Sequence, residues 1–372
     1  MDWNYMQPVR IRFGNGMIRV LPEEIDALGG RNGMLITSPS FEKSGLASEL
    51  CKASGGTLRH IYHDVSPNPD VIECDACARL LREESCDFVV ALGGGSVMDC
   101  AKAAATVCLT EHKVEHYIEQ CKQIPQAHLP LIAIPTTSGT GSEVTCVSVL
   151  SDHRKGIKTP LCSDGFYPAV AIVDPELTYS LPPYMTACTG FDALCHGIEA
   201  YWSVNHLPIC DALAVHAVRL VLNNLLQAYK QPDDATAREK LTEASVIAGL
   251  AFAMPKTSSA HACSYPLTNL LGIAHGEACA LTITHFLRFN AEHGSDRPLL
   301  LAKELGYADV NAMADAIEEL RTQTGLRENL KSYNLNDGQF EALVQGSMHP
   351  NLRNNPVEVC ENDLRTIYNT MR

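Results

Sequence analysis

The sequence predicts an α/β domain with a parallel sheet, followed by an all-helical domain. Three observations carry that expectation. Short, wholly apolar runs alternate with helix-period segments through the first half of the chain. Two loops rich in glycine and hydroxyl residues directly follow such runs. Beyond about Pro182 no comparable strand appears, only amphipathic helical stretches. At roughly 150 residues per domain, 372 residues make about two domains.

In chain order, residues 9–20 alternate around Gly14-Asn15-Gly16 and read as an edge hairpin. Met34–Thr37 reads as a strand, with a helix near 41–54. Leu58–His63 is a second strand, and Pro69–Ser85 a helix with Val71, Cys74, Ala78 and Leu81 on one face. Phe88–Leu92, Leu131–Ile134 and Ala169–Val173 have the composition of strands buried on both faces. Helices are then expected at 184–204, 208–229, 234–254, 259–270, 277–293, 298–305, 310–324, 337–347 and 361–371. The boundary therefore falls near 180, giving domains 1–180 and 181–372. The cleft between two such domains is a usual place for a ligand.

Bulk properties exclude several function classes. A net charge of −14 offers no field for nucleic acid or an acidic membrane. No apolar run near the ~20 residues of a membrane helix is expected, nor a signal peptide at the start, so a cytoplasmic location is expected. The 15 cysteines then read as reduced, small apolar residues. Cys74-x-x-Cys77 has no second pair to complete a zinc site.

Two loops suit a nucleotide. Gly93-Gly94-Gly95-Ser96 follows a buried strand and opens a helix. Glycines there admit a pyrophosphate close to the backbone, and the helix N-terminus supplies N–H groups and positive dipole. The spacing differs from G-x-G-x-x-G. Pro135–Glu143 follows the next strand and is packed with hydroxyls that can bond a ribose, an amide or a phosphate.

The helical half holds metal-type residues. Asp192 and His196 stand four apart, one turn on one helix face. An isolated pair of that kind is more often solvated than metal-binding. With His261 and His275 it makes three imidazoles and one carboxylate, a set that suits Zn²⁺ or Fe²⁺ with room for one more ligand.

These residues together resemble the iron-containing (group III) alcohol dehydrogenase family over nearly the whole chain. The markers are Gly93-Gly-Gly-Ser-x-x-Asp99-x-Ala-Lys102, Thr136-Thr-Ser-Gly-Thr-Gly-Ser-Glu-Val-Thr145, Val173-Asp-Pro-Glu176, Thr189-Gly-x-Asp192-Ala-x-x-His196-x-Ile-Glu199-Ala, and His261 with His275-Gly276. The resemblance implies a Rossmann-like N-terminal domain, a helical C-terminal domain of the dehydroquinate synthase-like type, and hydride transfer to NAD or NADP. It makes Asp192, His196, His261 and His275 the ligands of a catalytic divalent metal, Fe²⁺ before Zn²⁺. It places pyrophosphate on Gly94, Gly95 and Ser96, marks Asp99, and puts the nicotinamide side near Thr136, Thr137 and Lys158. Phe252 matches a pocket aromatic, and a homodimer or larger homo-oligomer is expected.

Two departures stand out. Where members often carry Asp for the adenosine ribose, this chain has Ser38, which would not repel a 2′-phosphate. Where many carry a relay histidine, four residues after the third ligand, this chain has Tyr265, a poor relay with a reference pKa of ~10. The His261-Ala-x-Ser-Tyr265-Pro-Leu-Thr pattern resembles the branch that reduces sulfoacetaldehyde or phosphonoacetaldehyde. An anionic aldehyde calls for Arg or a cluster of donors, and Arg353 is the candidate. The alternatives are a dehydrogenase of a neutral alcohol or diol (butanol, propanediol or glycerol), a dehydroquinate-synthase-like lyase, and a non-catalytic nucleotide-binding protein.

Overall fold

The computed structural model describes residues 2–119 and 124–372. Its N-terminal part alternates strand and helix. β1 (Arg10–Phe13) is followed by α1 (Leu21–Leu28), β2 (Gly33–Thr37), α2 (Pro39–Ser44), α3 (Leu46–Ala53) and β3 (Leu58–Tyr62). Then come α4 (Val71–Glu83), β4 (Phe88–Gly93), α5 (Gly95–Val107), α6 (Val114–Glu119), β5 (Leu131–Pro135), β6 (Val147–Asp152), β7 (Ile157–Cys162) and β8 (Val170–Val173). Six strands form one sheet in the order β1-β8-β5-β4-β2-β3, and every pairing is parallel. β2, β4, β5 and β8 are buried along their full length, because helices cover both faces. The carboxyl ends of β4 and β5 carry the two glycine and hydroxyl loops.

Three details differ from the sequence reading. Residues 9–20 are not a hairpin. β1 alone is a strand and pairs in parallel with β8, while Gly14-Asn15-Gly16 turns the chain into a 3₁₀ turn and α1. The Asp174 carboxylate captures that turn, accepting from the N–H groups of Gly16 at 3.0 Å and Ile18 at 2.9 Å. The helix expected at 41–54 is broken by Gly45 at φ 85, which only glycine adopts cheaply. The antiparallel hairpin β6–β7 has no counterpart in the sequence reading.

The C-terminal part is helical: α7 (Pro183–Trp202), α8 (Pro208–Lys230), α9 (Ala235–Phe252), α10 (Ser259–Leu271), α11 (His275–Glu292), α12 (Arg297–Glu304), α13 (Val310–Gln323), α14 (Asp337–Ser347) and α15 (Glu361–Met371). α7 is central and buries sixteen of its twenty residues, among them Phe191, Leu194 and Ile198. α8 is by length and composition apolar enough to cross a membrane, contrary to the expectation that no such run is present. It is instead amphipathic: Ala214, Val218, Val221 and Leu225 face inward, while His216, Arg219, Asn223 and Gln227 are exposed. The chain divides into two compact units, Met6–Thr137 with Ser142–Thr178, and Tyr179–Arg372 with Ser138–Gly141 and the N-terminal residues up to Tyr5.

Candidate active site

In the helical unit, α7 presents Asp192 and His196 one turn apart. α10 brings His261 and the first residue of α11 brings His275. His261 Nε2 lies 3.0 Å from His196 Nε2 and 3.5 Å from Asp192 Oδ1, and His275 Nε2 lies 3.6 Å from the same Oδ1. Gly276 permits this approach. A Cβ there would run into the Cys188 carbonyl oxygen on α7, so any other residue would push the start of α11 away.

Each imidazole is held from behind through Nδ1. His196 Nδ1 faces the Gly139 carbonyl at 3.3 Å, His275 Nδ1 faces the Ser264 hydroxyl at 3.1 Å, and His261 Nδ1 faces the Glu199 carboxylate. The carbonyl and carboxylate can only accept, so these rings carry the proton on Nδ1 and a lone pair on Nε2. The Ser264 hydroxyl donates to the His261 carbonyl at 2.7 Å, which leaves it an acceptor toward His275. The Nε2 lone pairs of His261 and His275 therefore meet at one buried carboxylate oxygen, with His196 Nε2 beside that of His261. That oxygen, Asp192 Oδ1, has no hydrogen-bond partner, a costly state for a buried anion unless a cation completes it. The donor set fits a divalent metal ion of the iron or zinc type.

The electrostatics of His196 and Asp192 agree. At His261 burial is outweighed by the acidic groups around it, Cys279, Glu199 and Asp192, which raise the ring, a demand for positive charge that a bound cation would meet instead. Burial, with the Asp192 charge opposing it, pushes His196 down to about 4, which keeps the ring neutral, the form a metal ion requires. Burial alone would raise the Asp192 carboxyl, yet the neighbouring imidazoles His196, His275 and His261 hold it well below the usual carboxylate range. Glu199 is fully buried and stays ionised, because His261, the N–H of Ala260 at 2.7 Å and the Ser258 hydroxyl at 3.0 Å offset its desolvation. Cys279, one turn along α11 from His275, adds a thiol whose sulfur lies within 4.8 Å of the ligand atoms of Asp192, His261 and His275.

Around this centre, Phe252 stacks on His196 with ring centroids 4.1 Å apart. Tyr265 stands beyond His275 at 6.4 Å and against His349 at 4.6 Å. Arg353 is exposed on the 3₁₀ turn Pro350–Asn354.

The other candidates gather in the sheet unit. Gly94 caps α5, and Gly95 and Ser96 form its first turn. A Cβ on Gly93 would meet Val97 Cγ2 at 2.5 Å, and one on Gly94 would meet Thr137 Cγ2 at 3.2 Å, so both positions keep the backbone bare. Thr136 N–H donates to the Gly93 carbonyl at 3.0 Å, joining the two loops. Asn68, at φ 56, links two further candidates: its N–H donates to Ser96 Oγ at 3.1 Å and its side-chain oxygen accepts from Lys158 Nζ at 2.8 Å. Burial raises Asp99 to about 6; its carboxylate accepts from Ser142 Oγ at 3.0 Å and the Val149 N–H at 3.1 Å. Asp99 therefore braces the loop after β5. Ser38 caps α2 at the end of β2, apart from this group in sequence.

Sequence reasoning assigned no role to Ser264, Asn68 and Cys279, and carried Glu199 and Gly139 only within family motifs. Glu199 alone carried a usable signal, since it follows His196 by three residues on the same helix face.

Two family models cover the chain, iron-containing alcohol dehydrogenase over residues 8–175 and the C-terminal model of the Fe-containing alcohol dehydrogenase family over residues 186–371. The chain belongs to the iron-containing alcohol dehydrogenase family. Within that family it is similar to sulfoacetaldehyde reductase from Bifidobacterium kashiwanohense, whose crystal structure in complex with NAD+ superposes with a TM-score of 0.97 at 52% identity, covering 100% of this chain and 99% of that one. It is 35% identical to long-chain-alcohol dehydrogenase 1 of Geobacillus thermodenitrificans (95% of this chain, 93% of the relative). It is 33% identical to sulfoacetaldehyde reductase of Bilophila wadsworthia (85% and 86%). The chain is an NAD-dependent alcohol dehydrogenase of that family, with the α/β and helical parts described above.

Proposed function

We propose that this enzyme reduces a short anionic aldehyde with a nicotinamide cofactor, sulfoacetaldehyde first and phosphonoacetaldehyde second. The observation that carries the reading is the 52% identity over the full chain to a sulfoacetaldehyde reductase. The neutral-alcohol and lyase alternatives have no comparable support.

In this reading residues 1–180 bind the dinucleotide and 181–372 hold the metal. Asp192, His196, His261 and His275 ligate Fe²⁺, with Zn²⁺ as the substitute. Once bound, the ion polarises a carbonyl oxygen and the nicotinamide supplies hydride. The chain's own groups do the rest. Gly94, Gly95 and Ser96 receive the pyrophosphate at the α5 N-terminus. Lys158, Thr136 and Thr137 face the nicotinamide side, and Asp99 braces the loop that carries the two threonines. Ser38 meets the adenosine ribose and leaves NADP as well as NAD admissible. Glu199, Gly139 and Ser264 hold the three imidazoles with Nε2 forward. Phe252 keeps His196 dry on one face. Tyr265, raised to about 12 by burial, keeps its phenol proton and acts as a donor. The enzyme is placed in the cytoplasm as a homodimer or larger homo-oligomer.

Initial rates with NADH and NADPH against sulfoacetaldehyde, phosphonoacetaldehyde, propionaldehyde and butyraldehyde, and with NAD+ and NADP+ against glycerol, test the reading. Preference for the anionic aldehydes supports it, and equal or better turnover of the neutral compounds overturns it. Asp192→Ala is expected to lose bound metal and turnover together; turnover surviving in a verified metal-free Asp192→Ala protein would remove the metal from the scheme.

A further inference from the structure

Tyr265 occupies the position of a relay histidine, yet a histidine reaches it from another element. The His349 ring packs against Tyr265 with centroids 4.6 Å apart, and Tyr265 lies 6.4 Å from the His275 ring. Two side chains thus stand in series outward from the ligand cluster.

Their neighbours decide where the protons are. His349 caps the turn Pro350–Asn354, and its Nδ1 accepts the N–H of Asn351 at 3.2 Å. A backbone N–H can only donate, so Nδ1 carries the lone pair and the neutral ring has its proton on Nε2. Such a ring can donate from Nε2 but cannot receive a proton there, which makes it a poor relay and a good anion donor. The turn itself is latched to the segment after α9: Asn351 donates to Thr257 Oγ1 at 3.0 Å and Asn354 to the Thr257 carbonyl at 2.8 Å. His349 is therefore held in place before a ligand arrives, and Tyr265 is fixed by its position on α10.

We propose that Tyr265 Oη and His349 Nε2 together form the seat for the anionic end of the aldehyde, its sulfonate or phosphonate oxygens, with the carbonyl end turned toward the ligand cluster. The proposal rests on the anionic-aldehyde reading above. It assigns the role first expected of Arg353 to two uncharged donors.

The test is the ratio of kcat/KM for sulfoacetaldehyde to that for propionaldehyde, measured on metal-loaded wild type, Tyr265→Phe and His349→Asn. Asparagine keeps an acceptor for the Asn351 N–H, so the turn keeps its cap. Loss of one hydrogen bond to a charged group lowers the ratio by roughly tenfold or more, chiefly through KM for sulfoacetaldehyde. Competitive inhibition by ethanesulfonate weakens in step. A ratio unchanged in both variants, however far total activity falls, overturns the seat. A wild type that does not prefer sulfoacetaldehyde defeats the functional reading itself. Preference retained by both variants removes the seat alone.

Discussion

His261 Nδ1 is hydrogen-bonded to the buried Glu199 carboxylate, and this turns His261 Nε2 toward Asp192. Glu199 is in turn fastened by the Ser258 hydroxyl and two backbone N–H groups at the start of α10. One carboxylate thereby fixes the ring, its tautomer and the helix that carries it.

Glu199→Gln keeps the size of the side chain and removes the charge. Metal affinity is expected to fall roughly 10–100-fold, the usual effect of losing a partner behind a ligating histidine. Titration of the apo-protein with Co²⁺, followed by its visible absorption, measures this directly. An unchanged titration would show that His261 is oriented by packing alone.

Gly276→Ala tests the close approach of α11 to α7. The added methyl meets the Cys188 carbonyl and the Asp192 Cβ, which cannot move without moving α7. A loss of about 2 kcal/mol of stability or more is expected, together with weaker metal binding. Thermal unfolding with and without Co²⁺ separates the two effects. A variant as stable as wild type in both states would refute the steric account.

Lys102 predicts a pH dependence. Its buried ammonium bonds Ser142 Oγ at 2.7 Å and the Val147 carbonyl at 2.8 Å, yet burial lowers it from 10.5 to about 8. Between those values the unfolded chain binds more protons than the folded one, so this group's contribution to stability rises with pH. Its penalty is complete below pH 8 and relieved toward pH 10.5. Wild type should therefore gain on Lys102→Met across that window in paired melting curves. A gap between the two proteins that stays constant with pH contradicts this.

The hairpin β6–β7 brings Cys146 Sγ and Cys162 Sγ to 3.5 Å, with Cys146 buried and Cys162 exposed. Little movement is needed to join them. Dilute hydrogen peroxide is expected to oxidise the two thiols to a disulfide, with two molecules of water formed from the peroxide, and Cys162→Ser should block it. Recovery of both cysteines as separately alkylated peptides after peroxide treatment would count against the prediction.

Much of the architecture was legible because the information is local. Apolar runs such as Phe88–Leu92 announce buried parallel strands. The helical periods of residues 208–229 and 310–324 end within one residue of α8 and α13. Asp192 and His196 were readable as one face because a helix sets their spacing. The hairpin expected at 9–20 failed because a Gly-Asn-Gly turn is equally compatible with a strand leading into a helix. The choice was made by β8 and Asp174, more than 150 residues away.

By itself, the sequence determined the order of strands and helices, the two cofactor-type loops and the residue types able to hold a metal. These depend on backbone period and side-chain chemistry, which act over a few residues. Only the tertiary structure decided which nitrogens of His261 and His275 face Asp192, which thiol lies beside them, that Asn68 joins Ser96 to Lys158, and that His349 meets Tyr265. Those are contacts between distant segments. Their partners are Gly, Ser, Asn and Glu residues with no distinguishing local pattern, so within each unit they come together only once packing joins distant segments, as α7, α10 and α11 do around Asp192.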